Sequence, residues 1–143
     1  GINSSKLIKK IASLLPESPP FYDKEQLSDR NVRFFVTELI REKIFLHYSA
    51  EIPYSCQVEV ETYEESEEID RIRCIIYVER ESQKGIIVGK NGDAIKKLGA
   101  LSRQGIEDFL QREVYLDLRV KVRPNWRSSE KYLKSFGYTK FDE

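Results

Sequence analysis

The chain has 143 residues, 40% hydrophobic and 34% charged, with 24 Lys and Arg balanced by 24 Asp and Glu. That size and mixture describe one folded domain, or one domain with a short extension, and exclude a disordered tract. No apolar run approaches the roughly 18 residues a membrane helix needs, no signal-peptide core opens the chain, and two cysteines with one histidine cannot close a zinc site without carboxylates.

Leu7, Ile8, Ile11, Leu14 and Leu15 recur at helical spacing over residues 4–15, with Lys6, Lys9 and Lys10 on the other side. Pro16 closes that helix, and Glu17-Ser18-Pro19-Pro20 reads as a linker. So short a helix is not stable alone, so its apolar stripe needs something to pack on. A second helix starts near Ser28 or Asp29, either of which can cap it, and runs to about Leu46. Val32, Phe35, Val36, Leu39, Ile40 and either Lys43 or Ile44 trace one face of it, and Pro53 then breaks the chain. Over 57–62, Val58 and Val60 alternate with Glu59 and Glu61, as in a half-buried strand. Residues 64–70 read as an acidic loop unsuited to burial. A second strand over 71–80 puts Ile72, Cys74, Ile76 and Val78 on one face, so the two strands should form a hairpin.

A short helix over 81–88 leads into a glycine turn, and a long helix runs from 92 to about 112. Ile95, Leu98, Ser102, Ile106 and Phe109 share one side of the long helix. Residues 114–122 alternate most cleanly, apolar Val and Leu against Tyr115, Asp117, Arg119 and Lys121. Pro124 stops that strand, Asn125 can cap a last helix over 126–136, and Gly137 ends it. This order predicts an α+β fold, one three-stranded sheet with helices packed on one face, plus an N-terminal and a C-terminal helix.

Zero net charge hides an uneven distribution. Residues 51–70 carry eight acids and no Lys or Arg, whereas 84–134 carry twelve bases against six acids. A basic lobe can steer a polyanion, although a solvated surface is the simpler reading of charge alone. The informative segment is Gly85-Ile86-Ile87-Val88-Gly89-Lys90-Asn91-Gly92-Asp93-Ala94-Ile95. Glycines let backbone approach a ligand closely, and the helix beginning after them points unpaired N–H groups and a positive dipole end at the same place. Lys90 adds charge there, and Asn91 adds donors and an acceptor.

A Gly-x-x-Gly turn between two helices, preceded by aliphatics, resembles the turn of KH domains. The resemblance implies that Gly89, Lys90, Asn91 and Gly92 clamp the backbone of about four nucleotides. It makes Ile86, Ile87, Val88 and Ile95 candidates for the groove floor under the bases, and Lys84, Lys96 and Lys97 candidates for phosphate contact. A helix and two strands before the turn, with a helix and a strand after it, resembles the type II arrangement. There the sheet is mixed and the last strand lies beside the middle one.

Further segments resemble the C-terminal half of the Era family of bacterial GTPases. They include Glu51-Ile52-Pro53-Tyr54-Ser55, Val114-Tyr115-Leu116-Asp117-Leu118, Asn125-Trp126-Arg127 and Phe136-Gly137-Tyr138. The likeness runs in register over about residues 6–138. It implies that 1–20 are the last helix of a missing GTPase domain plus a linker, and that 21–143 are the KH domain with its C-terminal helix. The chain opens on Gly1 rather than a methionine, as an excised fragment would. It carries no GxxxxGK[ST] phosphate loop, so no GTP hydrolysis by that machinery is expected of it, and no cofactor; GTP and Mg would belong to the missing domain.

The expected partners are the single-stranded 3′ end of 16S ribosomal RNA, the small ribosomal subunit and the chain's own GTPase domain. The expected location is the cytoplasm, with peripheral inner-membrane association, and the expected state is a monomer. Family members often carry a second basic residue where Asn91 stands, so the clamp here should rely on Lys90 and its neighbours for charge. Gly85 replaces a frequent proline. The acidic loop at 64–70 should point away from RNA. Trp126 reads as an anchor for the last helix on the sheet edge, with base stacking as the alternative.

Overall fold

The computed structural model describes residues 3–19 and 31–138. The proposed cap at Ser28 or Asp29 and the last linker residue, Pro20, lie outside them. Helix α1 (Ser4–Leu14) is followed by α2 (Val32–His47), the short α3 (Ile52–Ser55), strands β1 (Gln57–Glu64) and β2 (Asp70–Val78), and α4 (Glu81–Val88). A 3-10 turn (Lys90–Gly92), α5 (Asp93–Leu110), β3 (Val114–Val122), a second 3-10 turn (Trp126–Ser128) and α6 (Glu130–Ser135) complete the chain. Asn31 caps α2, its side-chain oxygen accepting the Phe34 N–H at 3.0 Å. Pro53 does not break the chain but sits in the first turn of α3, where its missing N–H costs nothing.

The three strands lie in the order β1-β2-β3, β1 antiparallel to β2 and β3 parallel to it. This is the mixed sheet expected, with the last strand beside the middle one. Ile72, Cys74, Ile76 and Val78 face Leu116, Leu118, Val120 and Val122 across the parallel pair. Helices α2, α4 and α5 cover that face. Val36, Ile40 and Ile44 of α2, Ile87 of α4, and Leu98 and Ile106 of α5 meet the strands in one core, each 2% exposed or less. Strand β1 outruns its predicted end because a bulge between Val60 and Thr62 shifts the register by one residue. The shift turns Tyr63 toward the core, where strict alternation would have placed Thr62.

The acidic segment contains one buried member, contrary to expectation. Asp70 is 1% exposed. Arg112 pairs with it at 3.3 Å, and the Tyr63 hydroxyl donates to it at 3.0 Å. Paired and hydrogen-bonded, a carboxylate tolerates such burial. The last helix is broken in two because Ser129 is extended. Trp126 is 4% exposed, and its indole N–H donates to the Ser55 carbonyl at 3.3 Å. It serves as an anchor and is not presented for base stacking. Phe136 lies 5.3 Å from the Tyr77 ring and Arg123 lies 4.0 Å over that ring, so the C-terminal segment covers one end of the sheet's other face. The apolar residues of α1 remain exposed among the described residues, Leu14 at 70%.

Candidate nucleic-acid interface

Helix α4 enters the turn with its N-terminus fixed by Gln83, whose side-chain oxygen accepts the N–H groups of Glu79 and Arg80 at 2.9 and 3.0 Å. It stops at Gly89, whose N–H closes on the Gly85 carbonyl at 2.9 Å. The two turn glycines do different work. Gly89 has φ 72° and ψ 177°, a combination essentially confined to glycine, and a Cβ there would lie 2.6 Å from the Ala94 Cβ. Gly92 has φ 79° and ψ 12° with open space around it. Asn91 between them is also left-handed (φ 54°, ψ 19°), a conformation Asn accepts better than most residues.

Lys90 and Asn91 are exposed at the crest. Helix α5 starts at Asp93, whose own N–H is taken by the Lys90 carbonyl, and its positive dipole end faces the same crest. Asp93 places one negative charge there, against Lys90, Lys96 and Lys97. The turn is thus a glycine-lined, lysine-rimmed helix N-terminus, suited to a phosphodiester backbone.

Starting at Ile95, three residues past Gly92, a groove of about 390 Å³ runs between α5 and β3. Ile95, Lys96, Gly99, Ala100 and Arg103 line it from the helix, and Leu116 and Leu118 from the strand. Gly99 and Ala100 leave the helix side shallow. The leucines give an apolar floor, and Lys96 and Arg103 give a basic wall. β3 is an edge strand among the described residues, so its second edge offers unpaired backbone groups. This is a surface on which flat bases can lie with their backbone toward the lysines. The acidic loop sits at the other end of α5, tied down by Arg112. An 18-residue helix separates the two ends by about 27 Å.

The sequence candidates divide accordingly. Gly89, Lys90, Asn91 and Gly92 form the crest, Ile95 and Lys96 line the groove, and Lys97 is exposed on the same helix. Ile86 is 51% exposed beside the turn, and Val88 and Lys84 are half-buried. Ile87 is fully buried in the core, so its side chain is not presented to any ligand. Sequence reasoning misses Gly99, Ala100, Arg103, Leu116 and Leu118 as groove residues. The signal for them is the small pair Gly99-Ala100 one helical turn beyond Ile95 and Lys96, which opens a gap over the facing strand.

A larger cleft of about 550 Å³ lies between α2, β1 and the 136–138 segment, but there Arg33 and Arg41 are offset by Glu38 and Glu59. The sheet's open face is also self-neutralised. Arg73 pairs with Asp117 at 2.8 Å, Arg119 with Asp117 at 3.1 Å, and Lys121 with Glu61 at 3.3 Å. Neither offers the net positive charge found around the turn, where Lys90, Lys96 and Lys97 face one carboxylate, Asp93.

Comparison with known proteins agrees with this geometry. The chloroplastic GTPase ERA1 of Zea mays is 53% identical over 129 residues, spanning 90% of this chain and 31% of that protein. The GTPase Era of Carboxydothermus hydrogenoformans is 44% identical over 144 residues, spanning 99% of this chain and 48% of that protein. The chain therefore spans about a third to a half of the length of these relatives. A crystal structure of Era in complex with MgGDPNP and nucleotides 1506–1542 of 16S ribosomal RNA superimposes with a TM-score of 0.89 at 36% identity, over 96% of this chain and 46% of that one. Aquifex aeolicus Era bound to GDP and AlF4 superimposes with a TM-score of 0.88 at the same identity. The KH domain family profile matches residues 51–127, more than half of the chain, from the start of α3 into the second 3-10 turn. With its mixed sheet and its glycine turn between α4 and α5, the chain belongs to the KH domain family and has the type II arrangement.

Proposed function

We propose that the chain is the single-stranded RNA-binding module of an Era-like GTPase, and that it grips the 3′ end of 16S ribosomal RNA through Gly89-Lys90-Asn91-Gly92 and the α5–β3 groove. The observation that carries this reading is the nearness of the two features. A glycine turn carrying Lys90 at the start of α5 stands three residues before Ile95, where an apolar-floored groove begins. The likeness to an Era crystallised with 16S RNA supports the choice of RNA. Lysines set affinity by displacing counterions, and the groove sets which bases fit.

The parent protein would assemble small ribosomal subunits, with GTP and Mg held in its other domain. Cytoplasmic location with peripheral membrane association belongs to the same reading, as does a monomeric state. Helix α1 would pack its exposed Leu7, Ile8, Ile11 and Leu14 on the GTPase domain, consistent with its lack of any buried residue here. The test is a gel-shift titration with a short 16S 3′-end RNA. Lys90→Asp combined with Asn91→Asp should leave the circular dichroism spectrum and melting unchanged and abolish the shift. Undiminished affinity of the double variant would refute the assignment.

A further inference from the structure

Tyr48, which follows α2, lies at the margin of the core and outside the groove, yet it touches the turn's foundation. Its hydroxyl donates to the Ile87 carbonyl at 3.0 Å, across 39 residues of sequence. Its own N–H closes on the Ile44 carbonyl at 3.0 Å and so ends α2. One residue therefore caps the C-termini of two helices.

The need for that cap follows from the shape of α4. Helix α4 has only 8 residues and ends abruptly at Gly89. Its last turn leaves carbonyl groups with no helical N–H to accept from. The Gly85 carbonyl is satisfied by the Gly89 N–H, but Ile87 stands one residue from the helix end on a side chain with 0% exposure. An unmet carbonyl there would draw in water or pull the helix end outward. Burial pushes the Tyr48 hydroxyl above its ordinary pKa, so it stays a proton donor throughout the neutral range.

We propose that Tyr48 is a positioning residue for the glycine turn: by holding the Ile87 carbonyl it fixes where α4 stops, and so presets the crest that receives the RNA backbone. The inference rests on the RNA-binding reading for its consequence, but not for its first observable. A turn held before binding loses less freedom on binding and binds more tightly. Tyr48→Phe keeps the ring and removes only the donor.

In the RNA-free chain, amide hydrogen exchange at Gly89 and Gly92, both hydrogen-bonded in the turn region, should quicken about three- to tenfold in this variant. Exchange in β2 and β3 should change no more than global stability requires. Affinity for the 16S 3′-end RNA should fall by a similar factor. Tyr63→Phe is the matched control, removing a half-buried tyrosine hydroxyl bond to Asp70 at the far end of the sheet. It should lower the melting temperature and leave turn exchange and affinity unchanged. Unchanged turn exchange in Tyr48→Phe, or loosened exchange with full affinity, overturns the proposal. If the wild-type chain itself fails to bind RNA, the functional reading fails, and the exchange arm alone still decides whether Tyr48 holds the turn.

Discussion

Gly89→Ala and Gly92→Ala look equivalent in sequence and should differ sharply in the folded chain. At Gly89 the new Cβ would sit 2.6 Å from the Ala94 Cβ and 3.0 Å from the Ala94 nitrogen, contacts that backbone cannot yield cheaply. The backbone angles there, φ 72° and ψ 177°, add strain of about 1–3 kcal/mol for any other residue. Overpacking adds about 1–3 kcal/mol more. The sum is a large share of the roughly 5–15 kcal/mol that stabilises a typical domain. Gly92 is left-handed with nothing within 4 Å, so alanine costs it about 1 kcal/mol after the loss of unfolded-state freedom is credited. Urea unfolding followed by circular dichroism compares the two at constant slope. The Gly89 variant should lose at least about 1 kcal/mol more than the Gly92 variant. Equal losses, or a larger loss at Gly92, would refute the packing argument.

Two further perturbations probe the groove and the core. Gly99→Ala puts a Cβ 3.8 Å from the Leu118 side chain, ordinary contact, in the middle of α5. It should raise stability by about 0.5–1 kcal/mol in the same urea assay. Gly99→Leu fills the groove and should cost roughly tenfold in RNA affinity, or about 1.4 kcal/mol, with the fold retained; full affinity would remove the groove from the binding surface. Burial pushes the Cys56 thiol up to about 11 and the Cys74 thiol to about 12. In the unfolded chain both ionise near 8.5, so stability should fall as pH rises above about 8.5, where only the unfolded state releases those protons. Disulfide-exchange labelling at pH 8 should accordingly track unfolding, and rapid labelling of the native chain would contradict the burial.

Much of the fold is legible in the residues themselves, for identifiable physical reasons. β3 is where its alternation places it, because Val and Leu on one face must meet a core and Tyr115, Arg119 and Lys121 on the other cannot. The turn is legible because its two glycines stand between a run of aliphatics and a long helical pattern, with a lysine between them. The effects of distant partners are not legible in this way. Asp70 is buried because Arg112 and Tyr63 come to it from elsewhere in the chain. The bulge after Val60 rephases β1 against a neighbour that alternation does not see. Ile87 and Ile86 are adjacent aliphatics, and only the packing of α4 on the sheet decides that the first is core and the second exposed. The groove exists only where α5 and β3 lie side by side, which is what makes Gly99, Arg103 and Leu118 one surface.

RNA is expected to lie along the turn and the α5–β3 groove. That expectation is tested most directly by recording amide shifts of the isotope-labelled chain during titration with a 16S 3′-end RNA. Shifts should concentrate at Gly89, Lys90, Asn91 and Gly92 and continue through Ile95, Gly99, Arg103, Leu116 and Leu118, with the apparent affinity weakening steeply as salt rises. Shifts confined to the open face around Arg73, Asp117 and Arg119, or none at saturating RNA, would contradict it.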